Sequence, residues 1–286
     1  MSFSPTDAAF EGFRLTRRLP KMLIALALVY LVFSAVLLLA AFQPIGELMK
    51  VLNGFTAGAD PTEAEMLTFL TLYGQIVGIS FLPSLLVNSV IQAAISRAVV
   101  TGGDDKYLFL RLGKDELRVM AVNFVVGLIL VAIGLVGFGI AGMLVGFAMN
   151  GYPLLVLLAV VLMLAVFALL VWMAIKMCLV VPIAVVEKRF GIARSFEMTR
   201  SHFWPLVGMM LLAVVLSIAV SVLGSIVTTP LTMLTGGLGV LAGGNSLTGG
   251  VIAGLFVWAI LSAVLSAAQL LILYAPMNAA YKQISA

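Results

Sequence analysis

The chain is poor in charge. Only 10% of its 286 residues are Asp, Glu, Lys or Arg, against about 25% in soluble domains, while 63% are hydrophobic. With a mean hydropathy of +1.22, most of the surface must face lipid rather than water. Cysteine occurs once, as Cys178, which excludes an internal disulfide and a cysteine-based metal site. Histidine also occurs once, as His202, so neither a histidine-ligated metal nor a His-based triad is expected. The apolar runs hold no acidic residue, which removes the usual means of coupling transport to protons or cations. The pI near 9.3 is no nucleic-acid signal, because the basic residues flank apolar segments instead of sharing a patch with aromatics. No metal, cofactor or nucleic acid is expected.

What is present is apolar length. Crossing about 30 Å of hydrocarbon takes about 20 residues. Six segments reach that, near 20–42, 67–100, 117–149, 154–186, 205–228 and 251–278. Each is read as a helix, because a spanning segment must satisfy its own backbone. The expected fold is an all-α integral membrane protein, one transmembrane domain over 1–286, with six helices in three hairpins. The first segment is not read as a cleaved signal, since its apolar run from Met22 to Phe42 is too long.

Charge gives the orientation. Arg14, Arg17, Arg18 and Lys21 precede span one; Arg97, Lys106, Arg111, Lys114 and Arg118 lie between two and three. Lys188, Arg189, Arg194 and Arg200 lie between four and five, and Lys282 follows six, so fourteen of the sixteen basic residues share one side. Lys50 is alone on the other side, with Glu47, Asp60, Glu63 and Glu65, and Lys176 lies within a span. The positive-inside rule puts both termini in the cytoplasm. The outer connections are then 43–66, the "NGYP" of 150–153, and the glycine-rich 229–250, which lacks the Lys-Ser/Thr of a phosphate loop and reads as a flexible surface loop.

A weak threefold repeat runs through the inner side. "FRLTRRLP" (13–20), "FLRLGKDEL" (109–117) and "FEMTRSHFWP" (196–205) each open on Phe, mix charges and lead into an odd-numbered span. The even spans carry Pro83, Pro182 and Pro276 at comparable places. A unit of interfacial helix, span, outer loop and span, repeated about every 95 residues, fits this pattern. The interfacial helices are expected near 4–18, 106–116 and 190–203, with Phe10, Phe13 and neighbours in the acyl boundary. Arg14, Arg17, Arg18, Arg111, Arg194 and Arg200 would face lipid phosphate; simple topogenic charge explains them equally well.

Span two contains a polar residue at every fourth place: Ser80, Ser84, Asn88, Gln92 and Ser96, followed by Arg97. Four residues turn a helix about 400°, so such a line drifts about 40° per step and is not one stripe. About 20 residues from Leu67 reach the inner boundary near Leu86, which leaves Asn88, Gln92 and Ser96 at or beyond it, on a helix expected to continue to about Val99. In span four, Lys176 reaches the inner edge by the same count and can snorkel to phosphate or meet another subunit; pairing with a ligand or ion is the alternative. The remaining "MCLVVPIAVV" is too apolar for water and is expected to lie under the short inner helices. Small residues at fourfold spacing, Ala213, Ser217, Ser221 and Ser225 in span five and Gly142 and Gly146 in span three, suggest close helix contacts, as do Ala259, Ala263, Ser262 and Ser266 in span six. Gln75 and Gln269 are expected to make interhelical hydrogen bonds.

The run "VVEKRFGIARSFEMTRSHFWPLVG", with "YLFLRLGKDELR" before span three, resembles a bacterial family of six-helix inner-membrane proteins related to the membrane domain of some glycerophosphodiester phosphodiesterases. Ser195, Thr199, Trp204 and Gly208 carry the resemblance. It implies a multi-pass protein of the bacterial inner membrane, and many members of the family stand alone. The catalytic residues of the fused enzymes have no counterparts here. The expected function is that of a non-enzymatic protein binding membrane lipid, a partner protein or a second copy of itself, in envelope maintenance or assembly. The alternative is a small-solute or lipid transporter or channel, with a path along Gln75, Ser80, Ser84, Asn88, Gln92, Lys176 and Gln269. A membrane enzyme would have to use Asp115, Glu116, Glu187 or Glu197 at the rim.

Overall fold

The computed structural model describes residues 3–56, 62–101, 110–111, 113–149, 152, 154–235 and 249–285. Among these residues the chain is helical, without a strand. The helices are α1 (Pro5–Ala9), α2 (Glu11–Arg18), α3 (Pro20–Ala40), α4 (Phe42–Thr56), α5 (Glu63–Thr101), α6 (Lys114–Met149), α7 (Leu154–Met177), α8 (Val180–Val186), α9 (Ile192–Arg200), α10 (Phe203–Thr235) and α11 (Gly249–Ser285). Six segments are long and apolar enough to cross a membrane: α3, α5, α6, α7 with α8, α10 and α11. They fall on the six expected spans, which makes this a multi-pass membrane protein.

Proline sets several of the boundaries. It lacks an N–H, so it is tolerated in a first turn, where that donor would have no partner. Pro5 and Pro20 open α1 and α3 in this way, and Pro205 lies in the first turn of α10. Pro44 ends α3: a proline ring collides with the carbonyl four residues back, here that of Ala40, the last residue of the helix. The chain turns at Ala41 and resumes as α4, so the expected outer connection 43–66 begins with a helix. α5 starts with a capping box, Thr62 Oγ1 accepting from Glu65 N at 3.3 Å while Glu65 Oε2 accepts from Thr62 N at 2.9 Å. It then continues through Pro83 to Thr101, in line with the expected continuation to about Val99.

The short helices expected on the inner side differ in detail from expectation. The expected helix at 4–18 is two, α1 and α2, parted at Phe10. The one at 190–203 is α9, and that at 106–116 lies largely outside the described residues, its last residues forming the first turn of α6.

The helices form two compact units. One comprises Met1–Glu11, Gln92–Ala213 and Tyr274–Ala286; the other comprises Gly12–Ile91 and Val214–Leu273. In the second unit, α2 lies against α11 at a glycine: a Cβ on Gly12 would stand 2.6 Å from Ile272 Cα and 2.8 Å from Leu271 O. α10 approaches α11 at Gly224, opposite Leu265. In the first unit, Ala93, Val119, Val122, Met177, Val180, Ala184 and Val185 form a core, closed by Ile192 and Phe196 of α9.

Two expected small-residue faces are not the ones used. On α10 the structure buries Ala213 and Gly224 but exposes Ser221 and Ser225, because the fourfold line drifts round the helix. On α6, Gly142 and Gly146 are exposed, and a Cβ on either would meet nothing; Gly137, packed on Val166 of α7, and Ala141 mark the buried face.

Candidate functional site

The site starts from Pro182. Its ring conflicts with the carbonyl of Cys178, so the apolar stretch 154–186, expected as one helix, parts at Cys178–Leu179. The end of α7 tightens, with Cys178 N donating to Ile175 O at 3.3 Å, and α8 restarts as Ile183 N donates to Leu179 O at 3.1 Å. The Lys176 carbonyl, having lost its helical partner, accepts from Ser195 Oγ at 2.7 Å. Ser195 is fully buried on α9, and Thr199 Oγ1 donates to its carbonyl at 2.8 Å. Of the four residues on which a family resemblance was expected, Ser195 thus caps the broken helix, and Thr199 bonds within α9 just behind it. The other two do no such work: Trp204 is exposed, and a Cβ on Gly208 would meet nothing.

The break lies inside protein. Leu179, Val180, Ile183 and Ala184 are fully buried, and Met177, Cys178 and Val185 nearly so, which bears out the expected cover over this stretch. α9 supplies part of that cover through Ile192 and Phe196. Beside the break is a cavity of about 350 Å³, lined by Gln92, Asn123, Cys178, Tyr274, Asn278, the methionines 177, 210 and 277, and otherwise by valine, leucine, alanine and Pro182. Its lining holds no acidic or basic side chain. Asn123 Nδ2 donates to Gln92 Oε1 at 3.0 Å, joining α6 to α5. Asn278, 2% exposed, donates from Nδ2 to Tyr274 O at 2.9 Å, while its Oδ1 has no hydrogen-bond partner among the described residues.

Asn123 and Asn278 were not singled out by sequence reasoning. The available signal was chemical: a lone amide in an apolar run is costly unless something pairs with it.

Of the seven expected path residues, Gln92 and Lys176 fall in the first unit and Gln75, Ser80, Ser84, Asn88 and Gln269 in the second. Gln92 lines the cavity; the other six do not. Gln75 is exposed and Gln269 half-buried, and neither hydrogen-bonds another helix among the described residues. Ser80 donates to Val77 O at 3.2 Å, and Asn88 Nδ2 donates to the Ser84 carbonyl at 2.9 Å, so these polar groups are satisfied along their own helix. Ser96 is fully buried, its hydroxyl without a partner among the described residues. Lys176 is half-buried, its ammonium 5.6 Å from the centroid of the Phe203 ring, a cation–π distance.

Around this site the polar rim is tied together. Arg97 of α5 pairs with Glu116 of α6, whose Oε2 also accepts from Gly113 N at 2.9 Å. Arg118 pairs with Asp115 at 2.9 Å and donates to Ala184 O at 3.3 Å. Glu187 pairs with Arg189 and accepts from the Tyr281 hydroxyl at 3.2 Å, and Glu197 pairs with Arg194 at 3.4 Å. Lys282 Nζ donates to Val99 O, near the end of α5, at 3.3 Å. Arg14, Arg17, Arg18, Arg111, Arg194 and Arg200 are all exposed, as are Phe10, Phe13 and Phe190.

No match to the chain was found among protein-family models, curated proteins or solved structures.

Proposed function

We propose that this is a non-enzymatic protein of the bacterial inner membrane that binds a membrane lipid within its basic end, in envelope maintenance or assembly. The observation that carries the reading is the cavity of about 350 Å³ beside the α7–α8 break, apolar in most of its lining and without acidic or basic side chains. That volume falls within the range of ligand sites, about 300–1,000 Å³, and the lining suits a hydrocarbon chain.

The rest of the reading is consistent with this. Fourteen of sixteen basic residues on one side favour cytoplasmic termini and three hairpins. The exposed arginines of α2 and α9, beside exposed Phe13 and Phe190, suit helices lying at a lipid headgroup layer. The four rim carboxylates are each held by an arginine, which fits a structural role better than a catalytic one. The threefold repeat gains support from Thr16 and Thr199: each donates to the carbonyl four residues back, at 2.9 and 2.8 Å, on a short helix that leads into an odd-numbered span. On the same residues we keep the resemblance to the six-helix inner-membrane family as part of the proposal.

Native mass spectrometry of protein extracted in mild detergent tests this. A bound lipid is expected in the wild type and its loss in Ala174→Phe, which fills the cavity. Protein that emerges lipid-free and gains no thermal stability from added bacterial lipid extract would remove the reading.

A further inference from the structure

The chemistry of the cavity narrows what it can hold. This step rests on the proposal that the cavity binds lipid, and it names the class. A charged headgroup is disfavoured: the lining offers no counter-charge, and burying an uncompensated ion costs several kcal/mol even after relaxation. A neutral ligand has no such penalty.

The walls also ask for a hydrogen bond. Asn278 Oδ1 is a buried acceptor with no partner among the described residues. Turning the amide over does not relieve it, because Nδ2 is held by the Tyr274 carbonyl at 2.9 Å, and the exchange would set two oxygens against each other. An acceptor left bare in such a place costs about 1–3 kcal/mol, so a ligand that donates to it recovers that amount. Gln92 supplies the complement. Its Oε1 is taken by Asn123, which leaves its Nε2 to donate. A hydroxyl meets both needs, since it donates and accepts. A water molecule meets them less well, because it needs two to four polar partners and most of this lining is apolar.

Size and adaptability complete the argument. At about 350 Å³ the space lies near the lower limit for ligand sites, which suits one hydrocarbon chain rather than two. Met177, Met210 and Met277 give it walls that can accommodate a chain of variable shape.

We infer that the cavity is a site for a neutral single-chain amphiphile with a hydroxyl head, of the monoacylglycerol class, its hydroxyl donating to Asn278 Oδ1. The chain occupies the valine- and methionine-lined space beside the helix break, and Gln92 Nε2 donates to a second oxygen of the head.

The test compares three probes on the full-length protein in detergent micelles, read by thermal shift and native mass spectrometry. They are monoolein, methyl oleate, which has the same chain and no hydroxyl, and oleoyl lysophosphatidylglycerol, which carries a charge. Monoolein is expected to bind on the order of tenfold more tightly than methyl oleate, and the charged probe more weakly than monoolein. Asn278→Leu removes the acceptor at similar volume and should abolish the preference for monoolein over methyl oleate. Equal binding of monoolein and methyl oleate to the wild type overturns the inference whether or not the variant folds. A preference that survives in folded Asn278→Leu overturns it too. If the lysophospholipid alone binds, and Ala174→Phe displaces it, lipid binding stands and the neutral-hydroxyl assignment falls. If no probe binds but bacterial lipid extract still stabilises the protein, the neutral-hydroxyl assignment falls and lipid binding stands; if the extract fails as well, both fall, and Asn278 is left to a water.

Discussion

α5 carries Pro83 through an unbroken helix, whereas the helix containing Pro182 parts at Cys178–Leu179. Both prolines remove the same donor and crowd the same kind of carbonyl. The surroundings differ. Pro83 has Phe81 and Leu82 exposed beside it, while Leu179, Val180 and Ile183 around the other break are fully buried. Facing lipid, a chain cannot leave its ladder, because nothing outside will take the freed groups; irregular backbone at that depth is tolerated only inside protein. Burial alone is still insufficient. Pro276 is buried too, and α11 continues through it. The distinguishing feature is a donor. Aligning the two short segments on Phe13 and Phe196 sets Gly12 of α2 opposite Ser195 of α9. Ser195 offers a hydroxyl to the opened carbonyl at 2.7 Å; Gly12 brings its helix close to α11 but has nothing to donate. A proline therefore breaks its helix here where the site is buried and a neighbour supplies the missing hydrogen bond.

The contrast extends to how the two ends are secured, and this can be broken experimentally. The C-terminal end of α5 is held by charge, Arg97 on Glu116, with their side chains only 14% and 5% exposed. Arg97→Met leaves a buried carboxylate without its partner and should cost about 3–5 kcal/mol in equilibrium unfolding from mixed micelles. A loss under about 1 kcal/mol would show that α5 is secured by something else. Next in size is Gly12→Ser, which tests whether α2 can be given the hydroxyl of its counterpart. The new Cβ would fall 2.6 Å from a backbone atom of α11, so a loss of about 1–3 kcal/mol is expected, with α11 still unbroken. A stable variant with a kink near Pro276 would mean that the donor outweighs the contact. The smallest effect is Ser195→Ala, about 1–2 kcal/mol for the uncovered Lys176 carbonyl. In a Pro182→Ala background the ladder can close and that cost should shrink to a few tenths of a kcal/mol. Equal costs in the two backgrounds would separate the serine from the break.

Much of this was legible in the sequence, and the misses have physical reasons. The six spans follow from length and composition, which bind tightly in lipid. Counting residues from Leu67 and Leu154 foretold that α5 would continue to about Val99 and that 177–186 would be covered by protein, which holds for all but its end at Val186. The break itself was hidden, although Pro182 was in view, because its cause includes Ser195, which is distant in sequence and meets Lys176 only on folding. Asn123 and Asn278 were hidden for a similar reason: one amide in an apolar run does not say which helix it will meet. The small-residue stripes misled because 3.6 residues per turn carries a fourfold pattern off its own face, so Ser225 points away from the side that buries Ala213.

The rim also joins residues far apart in time of synthesis. The backbone N–H of Ser4 donates to Gln283 Oε1 at 3.0 Å, and Phe3 lies edge-on to His202, ring centroids 6.2 Å apart. Lys282 reaches Val99 from the same late stretch of chain. A ribosome makes residues 3 and 4 long before their partners His202 and Gln283. At about 5–20 residues per second, α1 waits on the order of ten seconds or more for Gln283 to exist. Over that interval the Ser4 N–H and the Phe3 ring wait for these two partners, so the contacts that tie α1 to the rest of the rim form late in synthesis.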